Sequence, residues 1–331
     1  MPSELRIGTR GSQLALWQAH TVQARLAAAG ALPTRIIVIK TSGDRLQDAP
    51  LSEVGGKRLF VKEIEDALLR HEIDVAVHSS KDMPAVLPSG LTIGAVLPRE
   101  DPLDAVVLPA TAEGAGQRAD LSSVDDLVDA LGQTPSIGTG SVRRVAQLTR
   151  LMPNARFAPI RGNLDTRLRK LDDGEHDALV LAAAGLRRLG FTSRIALTLP
   201  PAACVPAPGQ GIVAIEIRAD DDAVRSIVAR IDDAAAAAAL TAERAVVEAL
   251  GGGCQTPVGA LASPADGDML DVVAVVVALD GSRAIHGRLR GPRSAAATMG
   301  RRLGEQLIGD GADEILAEAR RAQGAVGGIQ P

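Results

Sequence analysis

Residues 73–84 read IDVAVHSSKDMP, and this stretch decides how the chain is expected to fold. Ile73–Val77 is largely apolar and has the length of a buried strand, which the polar residues after it bring to an end. Ile64, Ala67 and Leu68 precede the strand at the spacing of one helix face. A helix is therefore predicted before the strand, with charged residues directly beyond the strand end.

The same alternation of strand and helix extends on both sides of this stretch. Leu5–Gly8 predicts a strand, Ser12 a helix N-cap, and Arg35–Lys40 a second strand. A second series of strands, each followed by a helical pattern, lies at Ser136–Gly138, Phe157–Ile160 and Ala178–Leu181. Such alternation favours mainly parallel sheets with helices on both faces.

The C-terminal part has a different pattern. Leu270–Leu279 and Ser282–Leu289 flank Asp280-Gly281 and predict a hairpin, followed by two helices. We therefore predict an α/β fold of two domains with mainly parallel sheets and a smaller α+β domain. The expected domains are 1–102 with 212–230, 103–211, and 231–331, and residues 324–331 are expected to be disordered.

Composition limits the possible functions. The 331 residues carry a net charge of −4, which disfavours a nucleic-acid-binding protein. The longest apolar runs have only strand length, and the N-terminal residues lack a signal-peptide pattern, so a cytoplasmic protein without a membrane span is expected. Two cysteines make no disulfide framework, and the five histidines lack metal-ligand spacing, so no metal is predicted.

Positive side chains recur where the predicted strands end. In open α/β sheets ligands bind beyond these ends, and arginine suits carboxylates because it donates two parallel hydrogen bonds. Arg143 and Arg144 fall in the first turn of a helix, where the helix dipole disfavours cations, so an anion is expected to compensate them. The pattern predicts a cleft for a multiply charged anion.

Cys254 follows a long helical pattern and three glycines, which indicates an accessible thiol. Taken alone, it could be a nucleophile, a redox site or a residue without function. Cys204 fits a buried cysteine better. Asp82, taken alone, fits a helix cap or a partner of Lys81 as well as a catalytic carboxylate.

The motifs together resemble those of the porphobilinogen deaminase (hydroxymethylbilane synthase) family, in the family's order and over almost the whole chain. They are RGSQLALW (10–17), GGKRLFVK (55–62), VHSSKDMP (77–84), GTGSVRR (138–144), RGNLDTR (161–167), AGLRRLG (184–190), PGQG (208–211), TAER (241–244) and GGGCQTP (251–257). The resemblance implies three domains, the first two like a periplasmic binding protein. It also implies a transferase that condenses four porphobilinogen molecules into hydroxymethylbilane, with loss of ammonia.

The resemblance further assigns roles to individual residues. It implies a dipyrromethane cofactor joined by a thioether to Cys254, with Asp82 as the catalytic carboxylate. The residues implied to hold the cofactor are Lys81, Asp82, Ser141, Arg143, Arg144, Arg161, Arg167 and Arg188. Arg10, Ser12, Lys57 and Phe60 are implied to bind substrate, the last two beside a mobile loop. The family also implies a monomer, with no nucleic-acid or membrane partner.

Two other classes remain open from the residues. The two α/β units could form a binding module that closes around a small anion, or Cys254 could serve a different enzyme such as an acyl transferase. A binding module would carry no covalent pyrrole, and an acyl transferase would need a base near Cys254.

Overall fold

The computed structural model describes residues 4–45, 61–110, 121–252 and 256–326. In chain order, the strands of these residues are β1 (Leu5–Thr9), β2 (Thr34–Val38), β3 (Val75–Ser79), β4 (Leu91–Val96), β5 (Asp104–Val107), β6 (Ser136–Gly138), β7 (Arg156–Ala158), β8 (Ala178–Ala182), β9 (Ile195–Leu199), β10 (Val213–Arg218), β11 (Val258–Ala265), β12 (Met269–Val277) and β13 (Ala284–Pro292). The α-helices are α1 (Gln13–Ala28), α2 (Ser42–Arg45), α3 (Lys62–Leu69), α4 (Val124–Leu131), α5 (Val142–Leu151), α6 (Leu164–Asp172), α7 (Ala183–Arg188), α8 (Asp222–Val228), α9 (Ala234–Ala249), α10 (Ala296–Gly309) and α11 (Ala312–Val326).

The first two sheets share one arrangement. Their strand orders are β2-β1-β3-β10-β4 and β7-β6-β8-β5-β9. In each sheet the first three strands are parallel, and the strand in fourth position pairs antiparallel with both neighbours. Four of the five strands in each sheet therefore run in one direction. The predicted α/β class with mainly parallel sheets is confirmed.

The chain passes between these two sheets twice. It leaves the first sheet after β4 and enters the second at β5, then returns from β9 to β10 through residues 200–212. Because β10 lies between β3 and β4, the first sheet is complete only after the second has been built. The returning connection passes close to the end of β3 and the start of α5, since the Ser80 amide donates to the Ile212 carbonyl oxygen and Arg143 to that of Val205.

The core of the first unit follows the predicted periodicities. Leu5 and Ile7 of β1 are buried, and α1 buries Ala19 and Val22 against the sheet. The Ser12 side chain accepts a hydrogen bond from the Ala15 amide at 3.3 Å, which confirms the predicted N-cap. The helix therefore begins directly beyond the end of β1.

The C-terminal unit is an antiparallel sheet, β11-β12-β13, packed against α9, α10 and α11. The predicted hairpin is confirmed as β12 and β13. The sequence analysis missed β11, whose residues VGALASPA include Gly, Ser and Pro and lack a continuous apolar run. Helix α11 continues to Val326, so the predicted disorder is wrong for residues 324–326.

Several predicted segments lie outside the described residues. They include residues 46–57 of the polar stretch after β2, residues 111–120 of the Ala/Gly-rich insertion, and residues 327–331. No helix in the described part of the chain is long and apolar enough to cross a membrane.

Candidate functional site

The end of β3 leads into a single turn of 3-10 helix, Ser80–Asp82, that carries the charged residues Lys81 and Asp82. The pKa of Lys81 is lowered to about 8, mainly by burial and also by the charges of Arg144 and Arg143, against the opposing effects of Asp82 and Asp104. Lys81 of the first unit thus lies within electrostatic reach of two arginines of the second. The turn after β3 and the start of α5 form two sides of one cleft.

Two arginines at the start of α5 are buried against one carboxylate. Arg143 Nη1 and Nη2 lie 2.7 and 3.1 Å from the oxygens of Asp104, and Arg144 Nε lies 2.9 Å from Asp104 Oδ1. Arg143 also donates to the Val205 carbonyl oxygen at 2.7 Å, and Arg144 to that of Val180 at 2.9 Å. Burial alone would raise the pKa of Asp104, but the two arginines outweigh it and hold the pKa well below its usual range.

Asp104 corrects one part of the sequence analysis. The anion expected to compensate Arg143 and Arg144 is present within the chain, on β5, and needs no bound ligand. Asp104 also accepts a hydrogen bond from Gln210 Nε2 at 2.9 Å, which ties it to the returning connection. The available signal was a single acid at the start of the apolar run DAVVL, residues 104–108. One carboxylate between two guanidinium groups still leaves one positive charge in excess.

Asp104→Asn is expected to lower the free energy of unfolding by about 3–5 kcal/mol, because it leaves two buried guanidinium groups without a counter-charge. Equilibrium urea unfolding followed by circular dichroism measures this change. Glu72→Gln, which removes the exposed pair between Glu72 and Arg70, is the matched control and should cost much less. Equal losses in the two variants would contradict the stabilising role assigned to Asp104.

Cys204 lies in the same buried cluster. Its Sγ donates to Asp104 Oδ2 at 3.3 Å, and burial raises the pKa of the thiol to about 12. Cys204 is therefore an unreactive, buried cysteine, as the sequence analysis predicted.

Arg161 and Arg167 extend the positive charge beyond the end of β7. Burial lowers the pKa of Arg161, and its Nε is buried without a hydrogen-bond partner in the structure. The pKa of Arg167 is lowered to about 10, mainly by burial and also by the charges of Arg144 and Arg161, with opposition from Asp82. These mutual effects place the arginines close enough to repel one another, with Asp82 across the cleft.

A cavity that is partly open to solvent joins the cleft to the C-terminal unit. Residues from all three units line it, including Lys81, Ser141, Arg143, Leu240, Arg244 and Thr256. Ser141 begins α5, but its side chain makes no capping hydrogen bond to that helix. Thr256 stands two residues after Cys254 in the sequence. The cavity thus reaches Thr256, the first described residue after Cys254.

A second buried ion pair joins α9 to the two connections. Arg99 Nη1 lies 2.5 Å from Glu243 Oε1, and Glu243 also accepts hydrogen bonds from the Gly209 and Ala262 amides at 2.6 and 2.7 Å. Gly209 has a φ of +74°, and a Cβ there would lie 2.6 Å from Ser80 Oγ. The glycine is therefore required for the connection to pack against the turn that carries Lys81 and Asp82.

The other predicted site residues fall into two groups. Arg10 is half-buried between β1 and Ser12, and Arg188 ends α7, where its Nη2 donates to the Gly211 carbonyl oxygen at 2.7 Å. Lys57, Phe60 and Cys254 lie outside the described residues.

Comparison with known proteins identifies the family of the chain. A family profile described as "Porphobilinogen deaminase, dipyromethane cofactor binding domain" matches residues 5–226, and one described as "Porphobilinogen deaminase, C-terminal domain" matches residues 237–309. The porphobilinogen deaminase of Syntrophobacter fumaroxidans is 44% identical over 96% of this chain and 98% of its own. That of Geobacter metallireducens is 44% identical over 96% of this chain and 95% of its own.

Solved structures with lower similarity cover only part of the chain. Immunogenic lipoprotein A of Vibrio vulnificus is 12% identical with a TM-score of 0.41, over 69% of this chain and 94% of that one. The periplasmic VFT2 domain of Bordetella pertussis BvgS is 16% identical with a TM-score of 0.40, over 69% and 86%.

The two family profiles and the two relatives place the chain among transferases that act on porphobilinogen with a dipyrromethane cofactor. The chain belongs to the porphobilinogen deaminase family. It is a hydroxymethylbilane synthase, which condenses four porphobilinogen molecules head to tail on a dipyrromethane cofactor and releases ammonia. This reaction is a step in tetrapyrrole biosynthesis.

Proposed function

We propose that the cleft between the first two sheets, with its cavity toward Thr256, is the active site and that Cys254 carries the dipyrromethane through a thioether. The observation that supports this most is an excess of three positive charges, since Lys81 and four arginines interact there with two carboxylates. The unpartnered, buried Arg161 Nε and Ser80 Oγ also suit an anionic ligand. A dipyrromethane with four carboxylates fits this donor set, and when bound it supplies the primer on which the pyrrole chain grows.

Asp82 is the proposed catalytic residue. Its carboxylate lies in the turn after β3. It interacts electrostatically with Lys81 of the same turn and with Arg167 of α6 across the cleft. A carboxylate held there can accept hydrogen bonds from pyrrole N–H groups of the substrate and stabilise positive charge that develops on the pyrrole nitrogen. It can act repeatedly without leaving the site, as successive additions require.

The cationic side chains are proposed to hold carboxylates rather than to react. Arg143 and Arg144 are held in place by Asp104, and the buried Arg143 Nε has no hydrogen-bond partner among the described residues. The remaining proposed cofactor contacts are Lys81, Ser141, Arg161, Arg167 and Arg188. Arg10, Ser12, Lys57 and Phe60 are proposed to bind the incoming porphobilinogen. The Ser12 oxygen caps α1, which leaves its O–H free to donate to a substrate carboxylate.

We further propose the domain division 1–102 with 212–230, 103–211 and 231–331, supported by the two crossings between the sheets. We also propose that the protein is a cytoplasmic monomer. It acts on a small-molecule substrate and has no nucleic-acid or membrane partner. The enzyme family and the net charge of −4 support it.

Intact-mass analysis of the purified chain tests the proposed tether. A mass excess of two linked pyrrole units, together with a positive Ehrlich colour reaction, is expected. Peptide mapping should place that excess on the peptide that contains Cys254. An unmodified mass with retained activity would contradict the covalent attachment, and an unmodified mass without activity would favour a binding module.

The lowered pKa of Lys81 predicts a pH dependence of anion binding. A bound carboxylate favours the charged ammonium of Lys81. Above pH 8 the free Lys81 is mostly neutral, so it must take up a proton when the anion binds. The affinity for the anion therefore falls as the pH rises through about 8. Between pH 7 and pH 9 the affinity for a synthetic dipyrromethane tetracarboxylate should fall by up to about tenfold. Isothermal titration calorimetry measures this in a Cys254→Ser background, where no Cys254 thiol titrates.

Lys81→Arg provides the matched control, because a guanidinium stays charged throughout this range. The variant should lose the pH dependence and keep the affinity. If Lys81→Arg shows the same fall between pH 7 and pH 9, Lys81 is not the titrating group.

A further inference from the structure

Arg188 is a half-buried cation without a carboxylate partner among the described residues. Its Nη2 donates to the Gly211 carbonyl oxygen at 2.7 Å, and no ion pair of the described part of the chain includes it. Burial lowers its pKa, and the charge of Glu100 opposes this effect. In this respect it differs from Arg143 and Arg144, whose charges Asp104 compensates directly.

An aromatic ring lies beside the Arg188 guanidinium. Arg188 Cζ lies 5.5 Å from the centre of the Trp17 ring, which is 37% exposed and belongs to the only tryptophan of the chain. The negative face of an indole ring attracts a guanidinium at this distance. The ring therefore restrains the arginine without compensating its formal charge.

The contact joins the two α/β units at their ligand-binding edges. Trp17 lies on α1, which follows β1 of the first sheet, and Arg188 ends α7, which follows β8 of the second. The two helices also approach through Leu14 and Gly185, where a Cβ on the glycine would lie 3.8 Å from Leu14 Cδ2. Arg188 is thus held from the other side of the cleft, beside the connection at Gly211.

A carboxylate and an aromatic ring would have different consequences at this position. A buried carboxylate would occupy the N–H groups and compete with an anionic ligand. A ring face uses none of the N–H donors and leaves the guanidinium plane free to form hydrogen bonds. The second arrangement orients Arg188 and leaves more of its N–H donors available to a ligand carboxylate than the pairing of Arg143 and Arg144 with Asp104 does.

We propose that Trp17 is a positioning residue, which holds the Arg188 guanidinium at the contact of α1 and α7 so that it binds a pyrrole carboxylate. This inference rests on the carboxylate-binding role proposed above for Arg188. The carboxylate belongs either to the bound cofactor or to incoming porphobilinogen, and the two sources give different signatures.

Trp17→Leu removes the ring face, Trp17→Phe keeps a smaller one, and Arg188→Leu removes the charge. If the carboxylate belongs to porphobilinogen, Trp17→Leu should raise KM by roughly 2- to 30-fold with little change in kcat, and Trp17→Phe should raise it less. If it belongs to the cofactor, intact mass should show reduced pyrrole occupancy in Trp17→Leu and near-normal occupancy in Trp17→Phe. In an Arg188→Leu background, Trp17→Leu should add no further effect in either measurement.

The single tryptophan provides a readout that is independent of turnover. Arg188→Leu should change the intensity or wavelength of Trp17 emission, while Arg187→Leu, an exposed neighbour on the same helix, should not. Normal kinetics and occupancy in Trp17→Leu, with Arg188→Leu impaired, would overturn the positioning role alone. Normal behaviour of Arg188→Leu would instead contradict the proposed carboxylate-binding role of Arg188. An equal effect of Trp17→Leu with and without Arg188 would show that the ring acts by another route.

Discussion

Cys254→Ser is expected to yield a folded protein without covalent pyrrole and without measurable synthesis of hydroxymethylbilane. Thioether formation needs a thiolate, and a serine hydroxyl is not ionised at neutral pH. The loss should be nearly complete, because the growing chain would have no tethered primer. Intact mass and the Ehrlich reaction measure the cofactor, and circular dichroism shows whether the fold is retained.

Cys204→Ala is the matched control, because it removes the only other cysteine. The Cys204 thiol is buried beside Asp104, and its pKa of about 12 makes it unreactive. The control should keep the full pyrrole mass even if it loses some stability. Full cofactor mass on Cys254→Ser would contradict the proposed tether, and loss of the mass in Cys204→Ala alone would transfer that role to Cys204.

Asp82→Asn is expected to retain the dipyrromethane and to lower kcat by about a hundred- to a thousandfold. The amide has nearly the same shape, so binding should persist, but it cannot balance positive charge on the pyrrole nitrogen. Rapid-quench measurement of porphobilinogen consumption, with cofactor mass checked in the same preparation, separates turnover from cofactor loading.

Asp125→Asn, on the exposed side of α4, provides the control for loss of one negative charge. It should leave both cofactor content and kcat unchanged. Near-normal turnover of Asp82→Asn would contradict the catalytic assignment. Loss of cofactor in that variant would show that Asp82 holds the primer and would leave its effect on turnover to be measured after reconstitution.

The regular parts of the fold were predictable because their signals are local. The Ser12 N-cap, the strand at β3 and the hairpin of β12 and β13 follow from hydrophobic spacing and turn residues close together in the chain. β11 was missed because its burial depends on α9 and β12 rather than on its own sequence. The position of β10 between β3 and β4 likewise depends on pairing between strands far apart in the chain.

The candidate site divides in the same way. Its charged residues were identified from the sequence, because arginines and lysine at strand ends stand next to recognisable motifs. Their partners were not, because Asp104 is 39 residues from Arg143 and the ring of Trp17 is far in sequence from Arg188. Some arginines are compensated by a carboxylate, one is only oriented by a ring, and some retain an atom without a hydrogen-bond partner among the described residues. These differences depend on distances between the units.

The sequence by itself thus determined the α/β class, the family motifs and the types of side chain available to a polycarboxylate ligand, since each is encoded by short-range patterns. Only the tertiary structure decided that Asp104 compensates Arg143 and Arg144, that burial and repulsion lower the pKa of Lys81, and that Trp17 faces Arg188. The physical reason is that electrostatic energies depend on distance and desolvation. Both are set by how the two sheets and the C-terminal unit pack.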